Sequence, residues 1–266
     1  MNADTFISNF GHLVNAPGGV GKIRDLIYHL AFAGDLVDRS TENASDLIEK
    51  LTSTESPTGR IRRQSLESAK EYYPIPPHWR WVNIGSIGHD WGQTKPPASF
   101  TYIDVSAIDN KKGVVAEGAE VVSAANASSR ARKIVKKGTV IYSTIRPYLL
   151  NVAVIEEDFE PAPIASTAFA ILHPYEGVEA KYVYYYLRSP AFVNYVQGVQ
   201  SGIAYPAISD QKFFAASFPL APTEEQKRIV AKVDELMALC DRLDTQQKER
   251  ERQFSVLSSA CHARLA

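Results

Sequence analysis

Residues 223–266, TEEQKRIVAKVDELMALCDRLDTQQKERERQFSVLSSACHARLA, decide the fold of this chain. Thr223 and Gln226, directly after Pro222, form a T-x-x-Q capping box, which indicates the N-terminus of a helix. A seam then recurs at alternating steps of four and three: Ile229, Val233, Leu236, Cys240, Leu243, Gln247, Arg250, Phe254, Leu257 and Cys261. This heptad spacing predicts a coiled-coil helix roughly 65 Å long, at about 1.5 Å per residue. A helix of that length needs another long helix to cover its seam.

The bulk composition is that of a soluble globular protein. The 266 residues suffice for one ordinary domain with an appendage or for two small domains. A net charge of −1 gives no overall attraction to nucleic acid or membrane, so such binding would depend on local patches. No apolar run has the length of a bilayer span and no signal peptide opens the chain, which predicts a cytoplasmic location without membrane contact. Cys240 and Cys261 are interpreted as small buried hydrophobes of a reducing compartment, not as metal ligands.

Changes of pattern along the chain predict three regions and an α+β fold class. Residues 1–70 are expected to be a helical N-terminal region, separate from the central domain. Residues 71–220 open with a proline-rich boundary at 73–79 and continue as short β-like runs between turns, with a helix from about 179 to 196 that has a stop or turn around Ser189 and Pro190. They form the predicted mixed globular domain. Residues 221–266 are the long C-terminal coiled-coil helix.

The main candidate binding feature is a stretch without acidic residues between Glu120 and Glu156. Its cations are Arg130, Arg132, Lys133, Lys136, Lys137 and Arg146. A local basic patch on a nearly neutral protein suits contacts with the phosphates of a nucleic acid. The same pattern equally suits a solvated strand edge that lysines protect from aggregation. Spacing alone leaves both interpretations open.

Two further segments carry residues that nucleic-acid-binding proteins use. Residues 200–206, QSGIAYP, form a small polar loop whose glycine would let the backbone approach a groove closely. A plain turn between a helix and a strand fits this loop equally well. A base-stacking platform is one interpretation of Tyr182, Tyr184, Tyr185 and Tyr186. Their helical spacing favours packing against the rest of the domain.

No constellation in the sequence predicts catalysis. Residues 16–22, APGGVGK, differ from a phosphate-binding loop at Ala16 and Ile23, where the motif needs Gly and Ser or Thr. His78, His89 and His173 have no patterned carboxylate partner. A nucleophile elbow, a zinc-protease motif and a dinucleotide-binding glycine loop are missing as well. We therefore expect neither an enzyme nor a chain that holds a metal or cofactor.

Four segments, in this order, resemble the specificity subunit of type I restriction–modification systems. They are residues 23–37 (IRDLIYHLAFAGDLV), 75–82 (IPPHWRWV), 140–148 (VIYSTIRPY) and 222–243 (PTEEQKRIVAKVDELMALCDRL). They look like the N-terminal helix of the family, the start of its target recognition domain, a motif inside that domain and its conserved helical spacer. The family generally carries two recognition domains and two spacers, whereas this chain has one of each.

The resemblance implies a non-catalytic reader of double-stranded DNA that recognises one half of a split site. It also implies modification subunits, which methylate adenine with S-adenosylmethionine, and restriction subunits, which cleave DNA, as partners. The cofactor would then belong to the modification subunit. The residues proposed to contact DNA are Lys95, Arg130, Arg132, Lys133, Arg146, Gln200 and Ser201.

The polar seam residues predict how two copies would pair. An antiparallel homodimer centred between Gln247 and Arg250 sets these two residues opposite each other, with Leu243 opposite Phe254 and Cys240 opposite Leu257. The predicted seam residues are Leu236, Cys240, Leu243, Gln247, Arg250, Phe254 and Leu257. Two alternatives remain: a truncated or decoy half-subunit, and a structural coiled-coil adaptor that makes no contact with DNA.

Overall fold

A computed structural model describes residues 18–54, 69–115, 119–202 and 204–265, with side chains as far as residue 256. Its helices are α1 (Gly19–Ala33), α2 (Ala44–Ser53), α3 (Ala180–Arg188), α4 (Pro190–Val199), α5 (Asp210–Phe214) and α6 (Thr223–Leu265). Its strands are β1 (Arg80–Asn83), β2 (Gly88–His89), β3 (Ser99–Ile103), β4 (Ile108–Asp109), β5 (Val114–Val115), β6 (Glu120–Ser123), β7 (Ala131–Ile134), β8 (Val140–Ser143), β9 (Val152–Val154), β10 (Pro163–Ser166), β11 (Phe169–Pro174) and β12 (Ser217–Leu220). The α+β class predicted from the sequence is confirmed.

Within the described residues, the strands form two four-stranded sheets and two antiparallel two-stranded pairs. One sheet has the order β6-β3-β10-β7 and the other has the order β2-β11-β8-β9. Strand β10 runs parallel to β3 and antiparallel to β7, which makes the first sheet mixed. All four residues of β8 are buried, because this strand is covered on both faces. Strands β1 and β12 pair with each other and bring the two ends of the central domain together.

The N-terminal helices belong to the same core as the central domain, so the expectation of a separate N-terminal region is wrong. Phe32 of α1 is 1% exposed and lies between the rings of Tyr182 and Tyr186 of α3, at centroid distances of 5.3 and 5.2 Å. Trp79 is buried in this cluster as well. The polar linker after α2 hid this contact, because a local pattern does not show which apolar face a helix will meet.

The first half of helix α6 packs against other helices of its own chain. Ile229, Val233 and Cys240 are at most 1% exposed, because they belong to the same core cluster as α1 and α3. Arg24 of α1 fixes this contact through ion pairs of 2.7 Å to Asp241 and 2.9 Å to Asp244. The sequence predicted that a second long helix covers the seam of α6. Up to about residue 243, the seam is instead covered by the core of its own chain.

This packing corrects the predicted dimer register. Pairing Cys240 with Leu257 of a second copy needs an open surface at Cys240, and helix α1 already covers it. Leu236 and Leu243 are likewise packed against the core of their own chain. Farther along α6, Arg250 is exposed and Phe254 is 76% exposed, whereas the side chains of Leu257 and Cys261 lie outside the described residues.

The start of α6 lies where the capping box predicts it, but the side chains bond differently. The hydroxyl of Thr223 donates to the carbonyl of Gly177 at 2.8 Å, and Gln226 Oε1 accepts from the Glu179 amide at 2.9 Å. Both side chains therefore tie the helix to the turn before α3 and not to its own first amides. Between them, the buried carboxylate of Glu225 contacts His78 Nε2 at 2.8 Å. The spacer is fixed to the central domain by these contacts.

In the described part of the chain, no helix combines the length and apolar character needed to cross a bilayer. Of residues 16–22, whose sequence was compared above with a phosphate-binding loop, the first two lie outside the described residues, Gly18 is the N-cap of α1 and residues 19–22 belong to α1 itself.

Candidate nucleic-acid interface

Backbone hydrogen bonds link three segments, whose exposed residues are here called the recognition surface: residues 128–132, 144–150 and 200–208. The Thr167 amide donates to the carbonyl of Arg130 at 2.8 Å, and the adjacent Ala168 carbonyl accepts from the amide of Thr144 at 2.8 Å. The amide of Arg146 donates to the carbonyl of Pro206, also at 2.8 Å. Segments 144–150 and 200–208 are thus bonded directly, and segment 128–132 is linked to them through residues 167–168. No acidic residue occurs within these three segments.

The middle segment is a tight turn with an uncommon backbone. Arg146 has φ 47° and Leu150 has φ 52°, both in the left-handed region that non-glycine residues rarely adopt. Each such residue costs about 1–2 kcal/mol, so surrounding contacts must hold the turn. The Ser143 hydroxyl donates to the carbonyl of Ile145 at 2.8 Å, and the side-chain amide of Asn110 donates to the carbonyl of Leu149 at 3.0 Å. The turn is a fixed platform that projects the side chain of Arg146.

The third segment is a closed loop stabilised by a backbone pair. The amides and carbonyls of Ser201 and Ala207 exchange two hydrogen bonds of 2.9 Å. Gly202 has φ 93°, and a Cβ there would lie 2.7 Å from the carbonyl oxygen of Tyr205. Only glycine fits this turn without strain. The loop presents the ring of Tyr205, which is 69% exposed, beside the guanidinium of Arg146 at 5.0 Å from its carbon to the ring centroid.

Most of the cations predicted to contact DNA are accessible at this surface. Arg130 and Arg146 are exposed and Arg132 is partly exposed. Lys95 is exposed and adjoins the surface, because the amide of its neighbour Thr94 donates to the carbonyl of Arg132 at 2.8 Å. These charges come from separate parts of the chain.

Lys133 is the exception among the predicted contacts, because its ammonium is buried. The residue is 8% exposed, and its Nζ donates to the carbonyl of Phe169 at 2.6 Å and to Asp210 Oδ2 at 2.8 Å. Strand β7 alternates buried and partly exposed residues, so Lys133 points inward while Arg132 points outward. We therefore assign Lys133 to the support of the fold and not to DNA contact.

The predicted polar contacts of the loop differ in exposure. Ser201 is exposed, whereas Gln200 is partly buried. Within the described residues, the Oε1 atom of Gln200 is buried and has no hydrogen-bond partner. Ile203, between them and Tyr205, lies outside the described residues.

The sequence interpretation missed the aromatic and apolar part of this surface. Tyr205 is 69% exposed, Tyr148 is 50% exposed and Leu149 is 43% exposed. A usable signal was the position of these side chains in turns next to proline, where they cannot enter a strand or helix interior. By contrast, Tyr182 and Tyr186 of α3 are fully buried, which confirms the interpretation of the tyrosine run as packing.

The family model for the type I restriction modification DNA specificity domain matches residues 99–251. The chain belongs to this family. The match begins at β3 and ends within α6, so it contains the segments 128–132, 144–150 and 200–208 together with the first half of the spacer helix.

Related specificity subunits support the family over most of the chain. The chain is 26% identical over 255 residues to the type I restriction enzyme EcoAI specificity subunit of Escherichia coli, covering 88% of this chain and 43% of that protein. It is 23% identical over 246 residues to the EcoEI specificity subunit of the same organism, covering 86% and 41%. The chain therefore spans less than half the length of these relatives.

Solved structures agree with this family on the fold. The HsdS subunit from Thermoanaerobacter tengcongensis matches with a TM-score of 0.61 and 32% identity, covering 70% of this chain and 49% of that one. A structure that describes complex assembly and conformational transition of the type I R-M system contains a chain with a TM-score of 0.63 and 33% identity, covering 70% and 48%.

Proposed function

We propose that this chain is the sequence-reading component of a type I restriction–modification complex and that it recognises one half of a split DNA site. The observation that carries the proposal is the recognition surface inside the family-matched region. Its three segments carry exposed Arg130 and Arg146 and no acidic residue, and backbone hydrogen bonds join them into one unit. Cations at such a surface neutralise phosphates, and polar groups beside them reach base edges.

The proposal assigns no catalytic step to the chain. Recognition requires only that the side chains be held in place, and the strained turn at Arg146 and the closed loop at Gly202 do this. Methylation with S-adenosylmethionine and DNA cleavage would be carried out by modification and restriction subunits that bind the same complex. The chain's task would be to position them on a chosen sequence.

The proposal predicts a defined salt dependence of DNA binding. The chain with its modification subunit is titrated onto a labelled duplex at several salt concentrations, and fluorescence anisotropy gives the affinity. Removing one phosphate contact lowers the slope of log K against log salt by about 0.9. We expect this change in the variants Lys95→Ala, Arg130→Ala and Arg132→Ala, and no change in Lys50→Ala, which alters an exposed lysine of α2.

Two outcomes would contradict the proposal. One is the absence of binding to any duplex by the assembled complex. The other is an unchanged affinity and salt slope in Lys95→Ala, Arg130→Ala and Arg132→Ala alike, which is the result expected of a coiled-coil adaptor without DNA contact.

We further propose an antiparallel homodimer through the second half of α6. Phe254, a seam residue, is 76% exposed near the end of a 43-residue helix whose first half is covered by its own chain. A large exposed apolar side chain at a heptad seam position is typical of a surface that binds another helix. The seam of this dimer would start beyond Leu243, with Gln247, Arg250, Phe254 and Leu257 as its residues.

Light scattering at micromolar concentration tests the dimer. The expected mass is that of two copies for the wild type and of one copy for Phe254→Glu, while Val121→Glu should leave the mass unchanged. Val121 is a matched control because it is an exposed apolar residue, 63% exposed, outside the helix. A wild-type chain with the mass of one copy would contradict the proposal.

A further inference from the structure

The guanidinium of Arg146 is free to bind a ligand. It is exposed, and among the described residues its nitrogen atoms make no hydrogen bond or ion pair. Its contact is the ring of Tyr205, whose centroid lies 5.0 Å from the guanidinium carbon. Two other arginines are by contrast committed within the fold: Arg24 bridges two aspartates, and Arg188 donates to the carbonyl of Asn110 at 2.6 Å. Arg146 is thus held in place, while its N–H groups have no partner within the part of the chain that the structure describes.

The surroundings of Arg146 suit base edges better than phosphates. Tyr148, Leu149 and Tyr205 place exposed apolar surface on the same two turns. Apolar surface gains nothing beside charged phosphates, whereas the floor of the major groove offers thymine methyl groups and the edges of the bases. The segment 128–132 around Arg130 contributes no exposed large hydrophobic residue, so Arg130 has the surroundings of a phosphate contact.

The chemistry of the side chain selects the base. A guanidinium is planar and directs two parallel N–H groups at two acceptors, as the O6 and N7 atoms of guanine require. An aromatic ring that lies against its face leaves the N–H edges free and limits the rotation of the side chain. The backbone beside this ring is itself held, because the Arg146 amide donates to the Pro206 carbonyl and Gly202 closes the loop. Less side-chain entropy is then lost on binding.

We infer that Arg146 reads a guanine of the half-site through the major groove and that Tyr205 is a positioning residue that orients its guanidinium. This inference rests on the proposed function and deepens it, since it distinguishes one base-reading arginine from the phosphate contacts around it. The inference is supported by the contact between Arg146 and Tyr205, by the free N–H groups of the guanidinium and by its apolar surroundings.

Replacement of single guanines by 7-deazaguanine tests the inference, because the analogue lacks the N7 acceptor. The complex of the chain with its modification subunit is titrated onto duplexes that carry the sequence that the complex methylates. Each guanine of the half-site is replaced in turn. We expect one position where the replacement weakens wild-type binding about tenfold, within the range for a bidentate contact. The ratio of the affinities for the unmodified duplex and for the 7-deazaguanine duplex should fall to about one in Arg146→Ala, because the partner of N7 is gone.

The Tyr205 variants separate positioning from a merely structural role. Tyr205→Phe keeps the ring and should keep the tenfold ratio, whereas Tyr205→Ala should reduce it to about two- to threefold, because the guanidinium loses its orientation. Arg130→Ala is the control: it should weaken binding to both duplexes equally and leave the ratio unchanged. Arg146→Lys retains the charge without the planar fork and should also lose the ratio, which guards against a loss of folding in the alanine variant.

The outcomes distinguish the inference from the function on which it rests. If the wild type binds its site specifically but no guanine shows the effect, or if Arg146→Ala retains the ratio, the inference is overturned and the proposed function stands. The inference is overturned in the same way if Arg146→Ala only lowers the salt slope by about one, because Arg146 then contacts a phosphate. If the wild-type complex shows no sequence-specific binding, both are overturned.

Discussion

Replacing Lys133 by methionine separates support of the fold from DNA contact. Methionine preserves most of the aliphatic packing but removes the ammonium, which donates to the Phe169 carbonyl at 2.6 Å and to Asp210 at 2.8 Å. A hydrogen bond from a charged group contributes about 1.5–3 kcal/mol, and a buried carbonyl left without its donor costs about 1–3 kcal/mol. The ion pair adds little, since the Asp210 side chain is 36% exposed and its charge is screened by water.

The contribution of the charged hydrogen bond and the cost of the unpaired carbonyl describe the same lost bond and are not added. We therefore expect Lys133→Met to lower the free energy of unfolding by about 3 kcal/mol. The melting temperature should then fall by about 6–12 °C. Urea denaturation followed by tryptophan fluorescence and a thermal melt measure both values. Arg132→Met is the matched control, as the adjacent residue on β7 that points outward, and it should affect DNA binding but hardly stability. A Lys133→Met chain as stable as the wild type, with a lower salt slope of DNA binding, would show that Lys133 contacts DNA instead.

Two other perturbations test the recognition loop and a partly buried histidine, His173. Gly202→Ala should weaken DNA binding, because its Cβ would lie 2.7 Å from the carbonyl oxygen of Tyr205 at a φ of 93°. Gly198→Ala, whose Cβ has open space, is the control and should not weaken binding. Fluorescence anisotropy compares the two variants, and equal affinities would count against a preformed loop. Burial, with nearby cations, lowers the pKa of His173 to about 4 from 6.5, so the unfolded chain binds a proton in this interval that the folded chain does not. The free energy of unfolding should therefore fall as the pH drops from 6.5 to about 4. In His173→Asn, the urea midpoints should lose part of that pH dependence. A pH profile of the variant identical to that of the wild type would exclude the lowered pKa of His173.

Local patterns predicted the helices well, because capping, periodicity and proline act on neighbouring residues. The break between α3 and α4 lies at Ser189, where the sequence predicted a stop, and its hydroxyl accepts from the Phe192 amide as a helix cap. The start of α6 at Thr223 was predicted in the same way. What these patterns did not contain was the partner of each apolar face, which is why α1 was assigned to a separate region.

The candidate site was predicted only in part for a related reason. Charge counts pointed to the stretch around Arg130 and Arg146, but the alternation of β7 turns Lys133 inward while its neighbour stays outside. Tyr205 was passed over because nothing local joins it to Arg146, 59 positions earlier. Their contact depends on the hydrogen bond between the Arg146 amide and the Pro206 carbonyl, which only the folded chain forms.

The proposed function requires that this chain select the DNA sequence on which a modification subunit acts. Sequencing of methylated adenines in a host that carries the chain with its modification partner is the decisive measurement. We predict a split methylated motif that appears only when the chain is present, that contains a guanine in the half it reads, and that becomes less selective in Arg146→Ala. A methylation pattern that is the same with and without the chain would contradict the proposed function.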